Sequence, residues 1–130
     1  MTGAELADAA RSLVGVPFRL HGRDPRLGLD CLGVLAAALG ESVRLPNGYP
    51  MRGGDADAIA GIAVAAGLHP ARGQTEPGDI LLLRPGPYQH HIAIATGSDT
   101  IVHAHAGLRR VVHGPLPPEW PTLGHWRLHP

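Results

Sequence analysis

The chain has a single cysteine, no lysine and few aromatic residues, and these shortages exclude several kinds of protein. One cysteine cannot form an intramolecular disulfide, so no disulfide framework holds this fold together. Its 11 basic residues, all arginine, are balanced by 11 Asp and Glu residues, so the formal net charge is zero. This balance argues against nucleic acid or an anionic membrane as a partner, because both bind proteins through an excess of basic charge.

No apolar run approaches the length of a membrane span, and the first residues lack the basic and apolar segments of a signal peptide. We therefore expect a protein that is made in the cytoplasm without a signal peptide and does not insert into a membrane. The 130 residues, 44% of them apolar, are enough for one compact domain with a real core and too few for two. We expect one domain over residues 1–130.

Helix signals lie in the first half of the chain. Thr2 and Glu5 form a capping box, and Asp30 is a good N-cap for a helix that is apolar nearly all round. An apolar surface on all sides predicts that this second helix is buried. The predicted helices run from the capping box to about Val14, from Cys31 to about Leu39 and from about Asp55 to Ala66, with loops over residues 18–30 and 41–54.

The second half alternates short apolar runs with Gly and Pro turns, a pattern typical of successive antiparallel strands. Helices followed by strands are the α+β order. We predict N-terminal helices packed on a C-terminal antiparallel sheet of about five strands. The predicted strands cover residues 80–83, 91–95, 100–105, 108–113 and 123–128.

Cys31 falls in the first turn of the second predicted helix, directly after Asp30. Unpaired backbone N–H groups and the helix dipole favour a thiolate at such a position and can hold a developing oxyanion. Cys31 is therefore a candidate nucleophile. A free cysteine is also often a small buried core residue, and this interpretation stays open.

His91 opens one predicted strand, and His103 lies in the next strand of the same hairpin. Hairpin strands place such residues side by side or diagonally on one face, and alternation puts His105 on the same face as His103. A nucleophile, a base and a third polar group that orients the base form a catalytic triad. Taken singly, either histidine also fits a surface or hydrogen-bonded strand position, and His90 is a local rival to His91.

Zinc is the alternative use of these side chains, because His90, His91, His103 and His105 could supply imidazole ligands. The chain has no HExxH motif, no paired cysteines and no phosphate-binding glycine loop. We expect no metal and no cofactor. Two carboxylates near the motifs have structural explanations, Asp30 as the helix cap and Asp79 as a turn residue.

Five short segments follow one another along nearly the whole chain: G-V-P-F at 15–18, G-L-D-C-L-G at 28–33, P-G-D-I at 77–80, H-I-A-I at 91–94 and I-V-H-A at 101–104. Together they resemble those of the NlpC/p60 family of cell-wall cysteine peptidases. The resemblance implies a papain-like α+β fold in which the helix that carries Cys31 packs on the sheet. It also implies that Cys31 is the nucleophile, that His91 is the general base and then acid, and that His103 holds the His91 ring. The segments are residues 15–18, 28–33, 77–80, 91–94 and 101–104, which resemble the family's G-x-P-Y, G-x-D-C-S-G, P-G-D-(L/I), H-V-G-I and x-I-H-A motifs.

The resemblance implies hydrolysis of amide bonds in bacterial peptidoglycan stem peptides through an acyl-enzyme on Cys31. An amidase or acyltransferase would use the same nucleophile with a different acceptor, and this alternative stays open. Relatives of this shape occur in phage tails and in phage-like gene transfer particles. We therefore expect phage-like tail-tip proteins as partners and a particle that acts at the cell wall as the setting.

The chain departs from the family pattern at two positions near the cysteine. Phe18 stands where the family has Tyr, and Leu32 stands where it has Ser, so two hydroxyls are missing. We expect Phe18, Asp30, Leu32 and His90 to line the oxyanion or substrate pocket. Because the hydroxyls are missing, a structural tail-tip protein that retains the peptidase fold with weak or lost catalysis is the second alternative.

Overall fold

The computed structural model describes residues 1–40 and 56–130. The described residues form three helices, α1 (Gly3–Ser12), α2 (Cys31–Leu39) and α3 (Ala56–Ala65). The predicted loop over residues 41–54 and the predicted start of the third helix at Asp55 lie outside the described residues. None of these helices is long and apolar enough to cross a membrane.

Helix α1 begins at the predicted capping box. The Thr2 hydroxyl accepts a hydrogen bond from the Glu5 backbone N–H at 3.1 Å, and the Glu5 carboxylate accepts one from the Thr2 N–H at 2.9 Å. The helix ends at Ser12, two residues before the predicted end, and Gly15 then adopts a positive φ of 94° in the following turn. Its apolar side packs on α2.

Helix α2 has the predicted bounds and lies in the main core. Asp30 caps it by accepting a hydrogen bond from the Gly33 N–H at 2.8 Å, and Gly40 ends it. A side chain at Gly33 would overlap the carbonyl group of Gly22, so this glycine lets the preceding loop lie directly against the first turn. That loop contains a two-stranded hairpin, β1 (Arg23–Asp24) and β2 (Gly28–Leu29), which the loop prediction for residues 18–30 missed.

The C-terminal half forms a six-stranded antiparallel sheet in the order β3-β8-β4-β5-β6-β7. The prediction of about five strands is corrected by β3, a two-residue strand that pairs with β8 and is too short to leave an alternation pattern. The strand predicted over residues 108–113 begins later, because a turn with Arg109 at φ 59° precedes it. The strands are β3 (His69–Pro70), β4 (Ile80–Leu83), β5 (His91–Ala95), β6 (Thr100–His105), β7 (Arg110–Pro115) and β8 (Thr122–Arg127).

Pairing between β5 and β6 covers only part of their length. The paired residues are Ile94 with Val102 and Ala95 with Ile101, whereas β6 pairs with β7 from Thr100 to His105. The ladder between the two strands ends at Ile94, so the first residues of β5 do not pair with β6. Helix α2 contacts both strands, and the Ile92 N–H near the start of β5 is hydrogen-bonded to the Cys31 sulfur at the start of α2.

The core has two parts, on opposite faces of the sheet. The main cluster joins the three helices to one face, and strand alternation places a second, smaller cluster on the other. Two partly buried residues, Leu116 and Trp120, pack against this second cluster. Its buried members are Leu81, Leu83, Ala93 and Ile101.

Asp79 is fully buried just before β4, where it binds both the preceding turn and strand β8. Its carboxylate accepts hydrogen bonds from the Glu76 N–H at 2.9 Å, from His125 Nε2 at 2.6 Å and from Arg127 Nε at 2.7 Å. Burial raises the pKa of Asp79, but the hydrogen bonds from Arg127, the Glu76 backbone and His125 outweigh it and hold the pKa below its usual range. Asp79 is therefore a structural anion that fastens the turn to β8.

We expect Asp79→Asn to lower the free energy of unfolding by about 2–4 kcal/mol, because Arg127 would lose a buried anionic partner. Urea unfolding followed by circular dichroism measures this loss. Asp8→Asn is the matched control, since the Asp8–Arg11 pair has side chains 76% and 43% exposed and should change stability by less than about 1 kcal/mol. Equal effects of the two substitutions would contradict a structural role for Asp79.

Candidate active site

A cavity of about 610 Å³ opens where the start of α2 meets the start of β5 and the end of β6. Cys31, His91 and His103 all lie on its wall. Because β5 and β6 are antiparallel, the first residue of β5 and the last residues of β6 share one edge of the sheet. The fold thus brings together the three residues of the predicted triad.

The rings of His91 and His103 form a hydrogen bond between Nε2 of His91 and Nδ1 of His103, at 2.8 Å. Their centroids are 5.0 Å apart and their planes are nearly perpendicular, at 83°. Two ring nitrogens in such contact share one proton, so one ring donates and the other accepts. The structure thus brings the two histidines into contact across the hairpin, where the strand spacing predicts them side by side or diagonal.

Cys31 is buried at the start of α2, with only 7% of the residue exposed. Burial raises the pKa of this thiol, and the nearby Asp30 carboxylate raises it further. Hydrogen bonds from the backbone N–H groups of Ile92 and Leu32, and the positive charge of Arg23, lower it in part. The net pKa is about 11. The expectation that the helix start makes this thiol acidic is therefore wrong, because burial outweighs the helix terminus.

Both imidazoles are also held neutral. Burial, followed by the charges of His103 and His105, lowers the pKa of His91 to about 3. Burial, followed by the charge of His105, lowers the pKa of His103 to about 4. At neutral pH the site therefore holds a thiol and two neutral rings.

Asp30 is fully engaged in structural bonds. One carboxylate oxygen accepts from the Gly33 N–H and from Arg23 Nη1, both at 2.8 Å, and the other accepts from the His21 N–H at 2.9 Å. Asp30 lines the cavity, as expected. Its bonds tie the preceding loop to the first turn of α2, in agreement with its predicted role as the helix cap.

The two residues that differ from the family pattern have different locations. Phe18 lines the cavity and is partly buried, as expected of a pocket residue. Leu32 is 6% exposed and packs in the main core, and its side chain does not line the cavity. The expectation for Leu32 is corrected, because the position after Cys31 on the helix points into the core. Leu32 contacts the site only through its backbone N–H, which is hydrogen-bonded to the Cys31 sulfur.

His90 and His105, the rivals of His91 and His103, also line the cavity. Within the described ranges, the buried His90 Nδ1 has no hydrogen-bond partner, whereas His105 Nδ1 accepts from the Leu108 N–H at 3.0 Å. Neither ring takes part in the hydrogen bond between His91 and His103. No group of three or more His, Cys, Asp or Glu residues in the described part of the chain is arranged to hold a metal ion.

Trp120 and His21 are among the residues of the cavity wall that were not predicted from the sequence. Trp120 contacts both imidazoles of the pair in T-shaped arrangements. His21 has a positive φ of 61° and donates its backbone N–H to Asp30. Trp120 follows a proline-rich link and carries no titratable group, so neither a spacing nor a chemical pattern connects it to the histidines.

Comparison with proteins of known structure identifies the fold. No family model and no curated protein matches this chain. The NlpC/p60 domain of the peptidoglycan hydrolase SagA matches with a TM-score of 0.61 and 25% identity, over 88% of this chain and 90% of that one. NlpC1 from Trichomonas vaginalis matches with a TM-score of 0.73 and 20% identity, over 97% of this chain and 44% of that one. The P60 domain of an antigen from M. avium subspecies paratuberculosis gives a TM-score of 0.63 and 22% identity, over 97% and 93%.

These structural neighbours are NlpC/p60 domain proteins, so the chain has the NlpC/p60, papain-like fold. The chain spans most of the SagA domain and less than half of the Trichomonas protein. The predicted fold class, with N-terminal helices packed on a C-terminal antiparallel sheet, is confirmed.

We expect the protein to lose stability as the pH falls from about 6.5 toward 4. In the unfolded chain the two imidazoles take up protons near pH 6.5, whereas in the folded protein they do so only near pH 4 and pH 3. Acid therefore favours unfolding, by roughly 1–2 kcal/mol for each ring at pH 5. Urea unfolding at several pH values measures this slope. His103→Asn should make it shallower, and an unchanged slope would contradict the buried neutral pair.

Proposed function

We propose that this chain is a cysteine peptidase of the NlpC/p60 type that hydrolyses amide bonds in bacterial peptidoglycan stem peptides through an acyl-enzyme on Cys31. The observation that carries the proposal is the hydrogen-bonded pair of His91 and His103 on the wall of the cavity that also holds the Cys31 thiol. The likeness to the SagA domain, described as part of a peptidoglycan hydrolase, supports the substrate class.

His91 is the base of the proposed reaction. Its Nε2 is hydrogen-bonded to His103, which leaves Nδ1 as the ring nitrogen for the thiol. The competent tautomer has the proton on Nε2, donated to Nδ1 of His103, because the reverse arrangement would put a proton on His91 Nδ1. The Ile92 N–H beside His91 is hydrogen-bonded to the sulfur, so the thiol lies at the same end of β5.

Attack and proton transfer are coupled in this site. Since the thiol pKa is about 11 and the His91 pKa is about 3, a resting thiolate–imidazolium pair is unfavourable. The thiol proton therefore moves to His91 Nδ1 as the sulfur bonds to the substrate carbonyl carbon. The imidazolium that forms is stabilised through its Nε2–H by neutral His103, which accepts the hydrogen bond.

The start of α2 supplies the donors for the developing oxyanion. The first backbone N–H groups of a helix have no partner within it, and at α2 the Gly33 N–H is already taken by Asp30. The Cys31 N–H is therefore the main-chain donor proposed to face the carbonyl oxygen. Collapse of the tetrahedral intermediate breaks the C–N bond, and His91 gives its proton to the leaving amine.

Water completes the cycle. His91, neutral again, takes a proton from a water molecule as that water attacks the thioester carbon, and the proton then returns to the Cys31 sulfur as the C–S bond breaks. An amine in place of water would make the same chain an acyltransferase. Adding a free amine acceptor to the assay and analysing the products by mass spectrometry separates the two outcomes.

A structural role with the fold retained is the second candidate function, favoured by two observations. Phe18 gives the cavity wall an apolar surface, and the thiol pKa lies above its ordinary value. Alkylation by iodoacetamide at pH 7 distinguishes the two. In an enzyme, His91 assists removal of the thiol proton, so His91→Ala should be alkylated more slowly than the wild type. In a purely structural site, the wild type and His91→Ala should be alkylated at equal rates. Tail-tip partners, a phage-like particle at the cell wall and synthesis in the cytoplasm stay predictions.

We expect Cys31→Ala to abolish hydrolysis of diamino-acid-type peptidoglycan, with a loss of at least about 1000-fold. Mass spectrometry of the soluble fragments measures cleavage, and a thermal melt shows that the variant is folded. Cys31→Ser is the matched control for side-chain volume and should be similarly inactive. The proposal fails if the wild type releases no fragments under conditions in which a related NlpC/p60 enzyme does, or if Cys31→Ala stays active.

We expect His103→Asn to lower kcat by roughly 10-fold and His103→Ala by roughly 100-fold or more, because Asn keeps a polar group beside His91 and Ala does not. Steady-state kinetics on a soluble stem peptide measures both, with KM changing little. His105→Asn tests the rival position on the same wall. A larger loss at His105 than at His103 would contradict the assignment of the orienting residue.

A further inference from the structure

Trp120 contacts both histidines of the pair. The indole centroid lies 5.7 Å from the His91 ring and 5.7 Å from the His103 ring, with interplanar angles of 81° and 89°. Trp120 follows β7 in the link to β8 and forms part of the cavity wall. One aromatic side chain thus covers the pair from a segment that supplies none of the predicted catalytic groups.

The indole is itself held in place. Trp120 packs against the second cluster of the core, which lies on strands β4, β5 and β6. Its backbone N–H donates to the Pro117 carbonyl at 3.1 Å, which closes a turn just before it. The indole is therefore supported by the sheet that carries both imidazoles.

A single hydrogen bond does not define the arrangement of two imidazoles. The bond between Nε2 and Nδ1 sets the distance between the rings but leaves them free to rotate about the line that joins the two nitrogens. A perpendicular aromatic contact on each ring removes this freedom. The same contact limits access of water, which would otherwise compete for both nitrogens.

We propose that Trp120 is a positioning residue of this site: its indole holds the rings of His91 and His103 in their crossed, hydrogen-bonded arrangement and keeps water away from the bond between them. The catalytic meaning of this role rests on the proposed function. The structural part concerns only the two rings and the indole. Burial, the largest cause of the low pKa values of both rings, agrees with it.

The groups around the pair make the role of Trp120 measurable. Cys31, Asp30 and His90 line the same cavity, and Asp30 is paired with Arg23. His105 lies on β6 with its ring 5.7 Å from that of His103. Trp120 adds no charge to this set. A change in the titration of the rings after its replacement therefore reports lost shielding and not a lost charge.

Leu116 provides a matched control. Like Trp120, it is partly buried, follows β7 in the chain and packs against the second cluster, yet it does not line the cavity. Leu116→Ala thus removes support from the same cluster without uncovering the imidazoles.

The test is nitrogen NMR of the histidine rings across pH in the wild type, Trp120→Ala, Trp120→Phe and Leu116→Ala. In the wild type and in Leu116→Ala, we expect His91 and His103 to keep one tautomer each and to stay neutral down to about pH 5. In Trp120→Ala, both should show averaged tautomers and titrate at higher pH. Trp120→Phe should give tautomer averaging and titration between those of the wild type and Trp120→Ala. If Trp120→Ala does not fold, Trp120→Phe alone tests the proposal.

Unchanged tautomers and titration in the Trp120 variants, or equal changes in Leu116→Ala, would overturn the inference. Because the measurement uses no substrate, a failure to find hydrolysis would sink the proposed function and leave this test intact. Where hydrolysis is measured, we expect Trp120→Ala to lower kcat about 10-fold or more at nearly constant KM. A higher KM with unchanged kcat would make Trp120 a substrate contact and overturn its positioning role.

Discussion

The site depends on the hydrogen bonds that the Asp30 carboxylate accepts. This carboxylate caps α2, binds Arg23 and receives the His21 N–H, so one side chain joins the helix start to the loop before it. Gly33 permits the close approach of that loop. The thiol of Cys31 lies one residue beyond this junction, and its location relative to β5 follows from it. A buried carboxylate is tolerated here because backbone N–H groups and a guanidinium satisfy its oxygens.

Burial governs the electrostatics of the site more strongly than the helix terminus does. The N–H groups at the start of α2 favour a thiolate, yet the Cys31 pKa still rises to about 11, and the imidazoles shift in the opposite direction. Each shift favours the neutral form. In the proposed reaction, charge separation is thus postponed until a substrate carbonyl is present, when the oxyanion is stabilised by the helix N–H groups and the imidazolium.

Sequence reasoning located the fold and the three central residues, because their signals are local or periodic. Asp30 and Gly40 mark the ends of α2, and strand alternation together with a short turn brings His91 and His103 onto one face. Features that depend on tertiary packing were missed. The strand at His69–Pro70 exists only through pairing with β8, and the burial that raises the thiol pKa is a property of the folded chain. Trp120 reaches the histidines by tertiary folding alone.

The partial ladder between β5 and β6 has a mechanical consequence. The two strands pair with each other only at Ile94 and Ala95. These residues lie beside a turn in which Thr96 Oγ1 is hydrogen-bonded to both Thr100 and His113. The imidazoles lie at the other end, where β5 and β6 do not pair with each other. Each strand is nevertheless held along its length by its other neighbour, since β5 pairs with β4 from His91 to Ile94 and β6 pairs with β7 from Thr100 to His105. The separation of the two imidazoles is therefore set by the outer strands and the turn, and not by direct pairing at the histidines. The geometry of the ring pair thus depends on strand pairing at residues outside the cavity.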